Sequence, residues 1–303
     1  MFFKNLAVYR LPADWNVSAA ELEAQLGRRP LQPCSPFEMF SRGWVAPSSS
    51  GRLLHTVNNQ HLIALGVDQK LLPSSIIRQV AQERAEVQAK EQGFPVGRRQ
   101  MRDLKMRVTE ELRARALSRR RATRAWIDPQ GGWFVIDAAG GSRADEVVET
   151  LRDSLGSFAV VPLDTERSPQ LSMANWLMHG DAPLTFSIDD DLELKASDKS
   201  KATIRYSHHP LEGKEIQAHL RSGKYAARLG LTWNDRVAFV LTEKMQVKRL
   251  QFLELAKDPA SETDEIDAAE QFDIDFTVMA GELGKLLNDL ASALGGETER
   301  KAA

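Results

Sequence analysis

Three groups of residues in this chain have the types and spacing for chemistry. Asp189, Asp190 and Asp191 are consecutive, and paired carboxylates can hold two divalent ions for phosphodiester hydrolysis. On a strand only Asp189 and Asp191 share a face. No third carboxylate is spaced to join them, so a solvated strand end explains the run more simply than a metal-dependent nuclease does. Ala139-Gly140-Gly141-Ser142 is a Gly-rich loop ahead of a helix, where backbone N–H groups can hold phosphate. It lacks both the G-x-G-x-x-G spacing and the P-loop lysine, which leaves capping by Ser142. The six histidines (His55, His61, His179, His208, His209 and His219) fall in no metal-binding spacing, and the single Cys34 excludes an internal disulfide or a cysteine zinc cluster. No G-x-S-x-G nucleophile motif occurs. The expectation is a protein that is not an enzyme and carries no cofactor or metal.

What is concentrated is positive charge. From Arg98 to Arg124 there are eleven basic residues and three acids, in a chain of 303 residues whose formal net charge is −2. Such a segment suits a polyanion; the plain alternative is a solvated charged helix. Further bases recur at Lys195, Lys199, Lys201 and Arg205, then at Lys214, Arg221, Lys224 and Arg228. Aromatic residues are few among them, which favours phosphate contacts on duplex over base stacking on single strands.

The elements that must position these groups are legible in outline. Residues 2–10 read as a strand, and Ser18 with Glu21 opens a short helix ending near Gly27. Strands follow at 37–45, 52–57 and 60–67. A helix capped by Ser74 runs to Gly93, and a second, from Arg98 to about Arg115, carries Met101, Leu104, Val108 and Leu112 on one arc. Arg98, Arg102, Lys105 and Arg113 occupy the adjoining arc. Two such helices joined by Gly93–Gly97 make an antiparallel arm about 30 Å long. A hairpin around Pro129-Gln-Gly-Gly, a helix at 142–155 and a strand at FAVVPL come next. After a short helix near 169–179, strands at FSIDDDLELK and KATIRYSHH precede a helix near 212–222 and a three-strand meander. An acidic run from Asp258 to Asp275 leads into a final helix with Phe276, Met279, Leu283, Leu286, Leu287 and Leu290 on a core face. The fold class is α+β, with mixed or antiparallel sheet units and a protruding helical-hairpin arm. Its parts are an N-terminal α+β unit (1–72), the arm (73–121), a central α+β unit (122–180) and a C-terminal α+β base (181–303). No run is long and apolar enough for a transmembrane helix, and the chain reads as cytosolic.

Several motifs together carry a resemblance. MFFKNLAVYRL opens the chain, Leu71-Leu72-Pro73 opens a helix, and WIDPQGGWFVIDAA precedes ADEVVETLRDSLGS and VVPL. LGLTWNDRVAFVL, KRLQFLEL and FDIDFTVMAGEL follow in order. Across essentially its whole length the sequence resembles the RdgC family of recombination-associated proteins. The resemblance implies a nucleoid-associated, non-enzymatic protein that binds double-stranded DNA with little sequence preference and restrains RecA. It also implies a ring-shaped homodimer with two contacts per protomer and a basic inner surface. On that reading Arg119, Arg120, Arg121 and Arg124 are the first DNA contacts, followed by Arg98, Arg102, Lys214, Arg221 and Lys224. Phe94 and Val96 at the arm's end and Leu117 are candidate dimer contacts. The family commonly reads Leu-Pro-Arg-Ala-Phe-Ser where this chain has Arg113-Ala114-Arg115-Ala116-Leu117-Ser118, so an aromatic is replaced at Leu117. His208-His209 stand where a polar DNA contact is frequent; if they meet DNA, binding tightens as pH falls through the histidine range. Two other readings are a metal-dependent nuclease using Asp189 and Asp191, and a basic arm that docks an acidic protein.

Overall fold

The computed structural model describes residues 2–183, 185–198, 200, 202–253 and 267–298. Within them two antiparallel sheets and seven helices form a mixed α+β fold. Six strands of the first sheet run β2 (Phe40–Val45), β4 (Gln60–Lys70), β5 (Ser118–Asp128), β6 (Trp133–Ile136), β1 (Ala7–Arg10) and β7 (Val161–Pro162). The seventh, β3 (His55–Val57), hairpins onto β4. β6 and the inner stretches 62–67 of β4 and 125–127 of β5 are apolar at every position because both faces are covered there. Trp126 and Val135 face one core, while Ala125, Ile127, Phe134 and Ile136 face another. Asp128 shapes the β5–β6 hairpin by accepting at Oδ1 from the N–H groups of Gln130 (3.0 Å) and Gly131 (2.9 Å).

The second of these cores lies under α1 (Ala19–Leu26) and α4 (Gly141–Leu155), which contribute Leu22, Leu26, Val147 and Leu151. Ser18 caps α1 by accepting from Glu21 N at 3.2 Å. Ser142 does not cap α4, whose N-cap is Gly140, leaving Ser142 inside the first turn. Ser74 likewise opens α2 (Ser74–Gln92) as its first residue behind an N-cap of Pro73. In both places a residue one or two positions earlier takes the extended cap conformation, and the serine continues the helix.

Gly43 in β2 sits where residues 29–31 cross the strand. Leu31 N donates to Trp44 O (2.9 Å) and Trp44 N to Arg29 O (2.8 Å). A Cβ at Gly43 would lie 2.4 Å from Leu31 N, a backbone atom that cannot swing aside. We expect Gly43→Ala to lower stability by about 1–3 kcal/mol, through forced separation of packed backbone. The melting midpoint in thermal denaturation reads this directly.

The second sheet runs β12 (Val247–Phe252), β11 (Val237–Thr242), β10 (Lys224–Trp233), β8 (Phe186–Ala196) and β9 (Thr203–Tyr206). Asn234 and Asp235 turn the chain between β10 and β11 with φ of 48° and 55°, a region their short polar side chains tolerate. One face of this sheet is apolar and the other charged. The apolar face meets α5 (Pro169–His179), α6 (Lys214–Arg221) and α7 (Ala268–Ala293) in a single core. The expected face of α7 is buried there at Phe276, Met279, Leu283, Leu286, Leu287 and Leu290. The same core contains Leu62, Trp126 and Trp133 from the first sheet, so α7 packs against both sheets. Of the acidic run, Asp258, Glu262, Asp264 and Glu265 lie outside the described residues, as do Lys199 and Lys201.

Candidate nucleic-acid interface

The basic segment divides between a helix and a strand. α3 (Arg98–Arg115) packs on α2 across the turn at Gly93, whose φ of 78° ends α2. Gln100 opens α3 by accepting from Gly97 N at 2.9 Å. Val108 of α3 and Ala81 and Ala85 of α2 are buried, and Met101, Leu104 and Leu112 are half-buried beside them. The apolar spacing read from the sequence is therefore the seam between the two helices. Arg84 bridges them by donating to Glu111 at 2.7 Å. Arg98, Arg99, Arg102, Lys105, Arg107 and Arg115 are exposed. Among the described residues only Arg102 of these has a carboxylate within 4.0 Å, that of Asp103 at the limit.

Arg119, Arg120, Arg121 and Arg124 lie on β5, whose register with β4 places them opposite Gln69, Asp68, Val67 and Ala64. Alternation along the strand puts Arg119 and Arg121 on one face and Arg120 and Arg124 on the other. Their surroundings differ. Arg121 Nη2 donates to Glu146 Oε2 of α4 at 2.5 Å, and Arg42 approaches the same carboxylate at 3.8 Å. Arg124 is half-buried and donates to Pro47 O at 3.3 Å. Arg120 Nε lies 3.9 Å from the enclosed Asp68, while its own side chain stays 65% exposed. The Cys34 N–H holds the Asp68 carboxyl below the usual carboxylate range, with help from Arg120 and Lys70. Arg119 is exposed and has no carboxylate within 4 Å among the described residues. Of the four, Arg119 and Arg120 present the most available charge.

A second basic group sits on the second sheet. Lys214 and Arg221 are the first and last residues of α6, both exposed. Lys224 opens β10 and donates to Ser222 Oγ at 3.1 Å. His208 and His209 lie in the turn beyond β9, not within the strand, and His208 adopts a φ of 52°. Since Pro210 O can only accept, the 2.8 Å contact fixes the proton of His209 on Nδ1.

The exposed apolar residues also gather. Leu117 is 79% exposed between α3 and β5, and its carbonyl accepts from Leu71 N at 2.7 Å. Leu71 and Phe40, whose strand pairs with β4 at Gln69, are half-exposed at the same sheet end, and Phe37 just before β2 is 83% exposed. Phe94 is exposed at the α2–α3 turn and Val96 is half-buried there.

Asp189 and Asp191 share the charged face of the second sheet and flank Gly230. Thr232 Oγ1 donates to Asp189 at 2.9 Å, and Arg249 lies 3.3 Å from Asp191. Burial pushes the Asp189 carboxyl up, and Asp190 and Asp191 add to it against the Thr232 bond. Among the described residues no three His, Cys, Asp or Glu side chains converge to hold a metal ion.

The same face holds a cluster that no motif announced. Glu193 is almost wholly enclosed; Arg205 donates to it at 2.8 Å, and Arg228 and Lys195 stand 3.8 Å away. The available signal was alternation: Asp189, Asp191, Glu193 and Lys195 point one way along β8 while Leu192 and Leu194 point to the core. Burial pushes the Glu193 carboxyl up, but the Arg205 hydrogen bond and the three cations outweigh it, and the group ends below its ordinary value of 4.5. A carboxyl depressed in the folded state adds stability above its unfolded pKa and loses it as pH falls through the folded one. Glu193→Gln should therefore be less stable than wild type at pH 7. The difference should shrink as pH drops below 4.5, measured by urea unfolding across pH.

Fold and surface together define an α+β protein of two antiparallel sheets with arginines concentrated on α3 and β5, of which Arg98, Arg99, Arg107, Arg115 and Arg119 have no carboxylate within 4 Å among the described residues. A family model described as "Putative exonuclease, RdgC" matches residues 1–297. The chain belongs to the RdgC family. A recombination-associated protein RdgC of Dechloromonas aromatica (strain RCB) is 50% identical to it over 300 residues, with 98% of each chain covered. The proteins of the same name from Janthinobacterium sp. (strain Marseille) and Cupriavidus necator are 45% and 46% identical, covering 99% and 100% of this chain and 100% of their own length.

Proposed function

We propose that this protein binds double-stranded DNA without sequence preference, as a homodimer that encircles the duplex and limits RecA access during recombination and replication-fork repair. It acts in the cytoplasm, on the nucleoid, and not as an enzyme. The observation that carries this reading is the concentration of exposed guanidinium groups at Arg98, Arg99, Arg107, Arg115 and Arg119, which have no carboxylate within 4 Å among the described residues, in a chain of net charge −2. Cations left unpaired on one surface repel each other, and a line of phosphates relieves that repulsion. The relatives' shared name, recombination-associated protein, supports the setting. On this reading the α2–α3 pair is an arm, and ring closure uses Phe94 and Val96 at its turn and the apolar surface of Leu117, Leu71, Phe40 and Phe37. An apolar patch rimmed by charge suits a self-complementary contact.

The test is the salt dependence of duplex binding. A protein that neutralises Z phosphates gives a log–log slope of about −0.9Z, alike for duplexes of unrelated sequence. A flat slope, or strong preference for one sequence, would sink the account.

The family description raises exonuclease activity as a second reading. Asp189 and Asp191 are its strongest carboxylates, yet Thr232 and Arg249 engage them. End-labelled linear duplex incubated with the protein and Mg²⁺ or Mn²⁺ decides: shortening of the label would establish the nuclease. A basic arm that docks an acidic protein is separated by competition, because duplex DNA would then fail to displace the protein partner.

A further inference from the structure

The charged face of the second sheet contains a cleft of about 250 Å³ that none of the roles above uses. Arg205, Arg228, Lys248 and Arg249 line it against two carboxylates, Asp191 and Glu193. Arg205 is committed to Glu193 at 2.8 Å and Arg249 to Asp191 at 3.3 Å. Arg228 stands 3.8 Å from a Glu193 that Arg205 already satisfies, and Lys248 has no carboxylate within 4 Å among the described residues. Two cations, on β10 and β12 to either side of β11, thus remain in surplus. Asn5 and Ser207 add polar side chains to the lining, so neutral donors accompany the charges.

We propose that this cleft binds a phosphate dianion, as inorganic phosphate or a terminal phosphate monoester, between Arg228 and Lys248. The two surplus charges match a dianion. Guanidinium and ammonium bonds to phosphate are among the strong charge-assisted kind, and a concave site shields them from screening. Burial lowers the pKa of Lys248, and the neighbouring cations Arg228 and Lys244 lower it further. An anion at this position reverses the second effect.

The test uses full-length protein with ¹³C-methylated lysines, titrated with sodium phosphate against sodium chloride at matched ionic strength. The Lys248 resonance, assigned by its loss in Lys248→Gln, should shift with phosphate alone, and its titration midpoint should rise. Arg228→Gln should weaken phosphate binding by about tenfold or more, whereas Arg228→Lys should retain most of it. Circular dichroism establishes that each variant is folded. A Lys248 signal that responds equally to both salts overturns the proposal, as does undiminished phosphate binding by a folded Arg228→Gln. Trinucleotides with and without a 5′-phosphate separate the sources. Preference for the phosphorylated form assigns a nucleic-acid end, and equal behaviour of the two alongside binding of inorganic phosphate assigns the free anion. Neither result depends on the duplex-binding surface of α3 and β5.

Discussion

Replacing Arg119 and Arg120 together by Ala in both protomers of the proposed dimer should reduce the salt slope of duplex binding by about 3.6 units and weaken affinity about 4,000-fold at 0.1 M salt. The estimate treats each arginine as one phosphate contact, each worth about 0.9 of slope, and takes 1 M salt as the point where the electrostatic contribution vanishes. Arg121→Ala is the internal control. Its guanidinium is held by Glu146, so its removal costs the duplex little and should leave the slope nearly unchanged. Titrations of fluorescent duplexes from 0.05 to 0.4 M salt, on two unrelated sequences, measure both quantities. The losses should be equal on the two sequences, because phosphate contacts carry no base information. If Arg121→Ala lowers the slope as much as the double variant does, the ranking by carboxylate partners is wrong.

That ranking was out of reach of the sequence. Arg119, Arg120, Arg121 and Arg124 look equivalent in one dimension, as four basic side chains in six positions. They separate because β5 begins at Ser118, which sends alternate side chains to opposite faces. One face meets α4 and the other the enclosed Asp68, partners 25 and 52 positions distant in the chain. Non-local neighbours decide which charges are neutralised, and no local pattern encodes them. The cleft beneath Arg228 and Lys248 was hidden for the same reason: its bases come from different strands of the meander.

Much of the fold was legible where the signal is periodic or carries turn chemistry. The α3 seam, the α7 core face, the hairpin at Asp128 and the meander turn at Asn234-Asp235 all lie where side-chain spacing or φ preference puts them. Caps were less secure, since Ser74 and Ser142 can serve either as cap or as first-turn residues, and the preceding Pro73 and Gly140 took that place. Sheet order was not legible. β4 and β5 are neighbours although α2 and α3 intervene between them, and the paired α2 and α3 explain how: they return the chain to the sheet end it left.

Leu283→Ala should cost about 2–5 kcal/mol, the range for emptying a buried leucine site, a large share of the roughly 5–15 kcal/mol that holds a typical protein folded. Leu283 is fully buried in the core that α7 shares with both sheets. The helix is held tightly on each side. A Cβ at Gly284 would lie 4.0 Å from the Trp126 ring of the first sheet. Trp233 Nε1 of the second donates to Asp289 at 2.8 Å. His55 adds a third tie, with its ring edge-on to Phe272 and Phe276 and Nε2 at 3.1 Å from Asp273. Held at these points, α7 cannot move inward to fill the space, so the cavity should persist and the cost should fall in the upper part of the range. Leu171→Ala on the exposed side of α5 is the matched control, expected within about 0.5 kcal/mol of wild type. Urea unfolding distinguishes two consequences. A lower midpoint with unchanged steepness means the sheets unfold as one unit around α7. Two separated transitions would mean that the sheets are independently stable and the helix only tethers them. While the variant remains folded, its duplex salt slope should equal that of wild type, because no phosphate-facing cation has been removed.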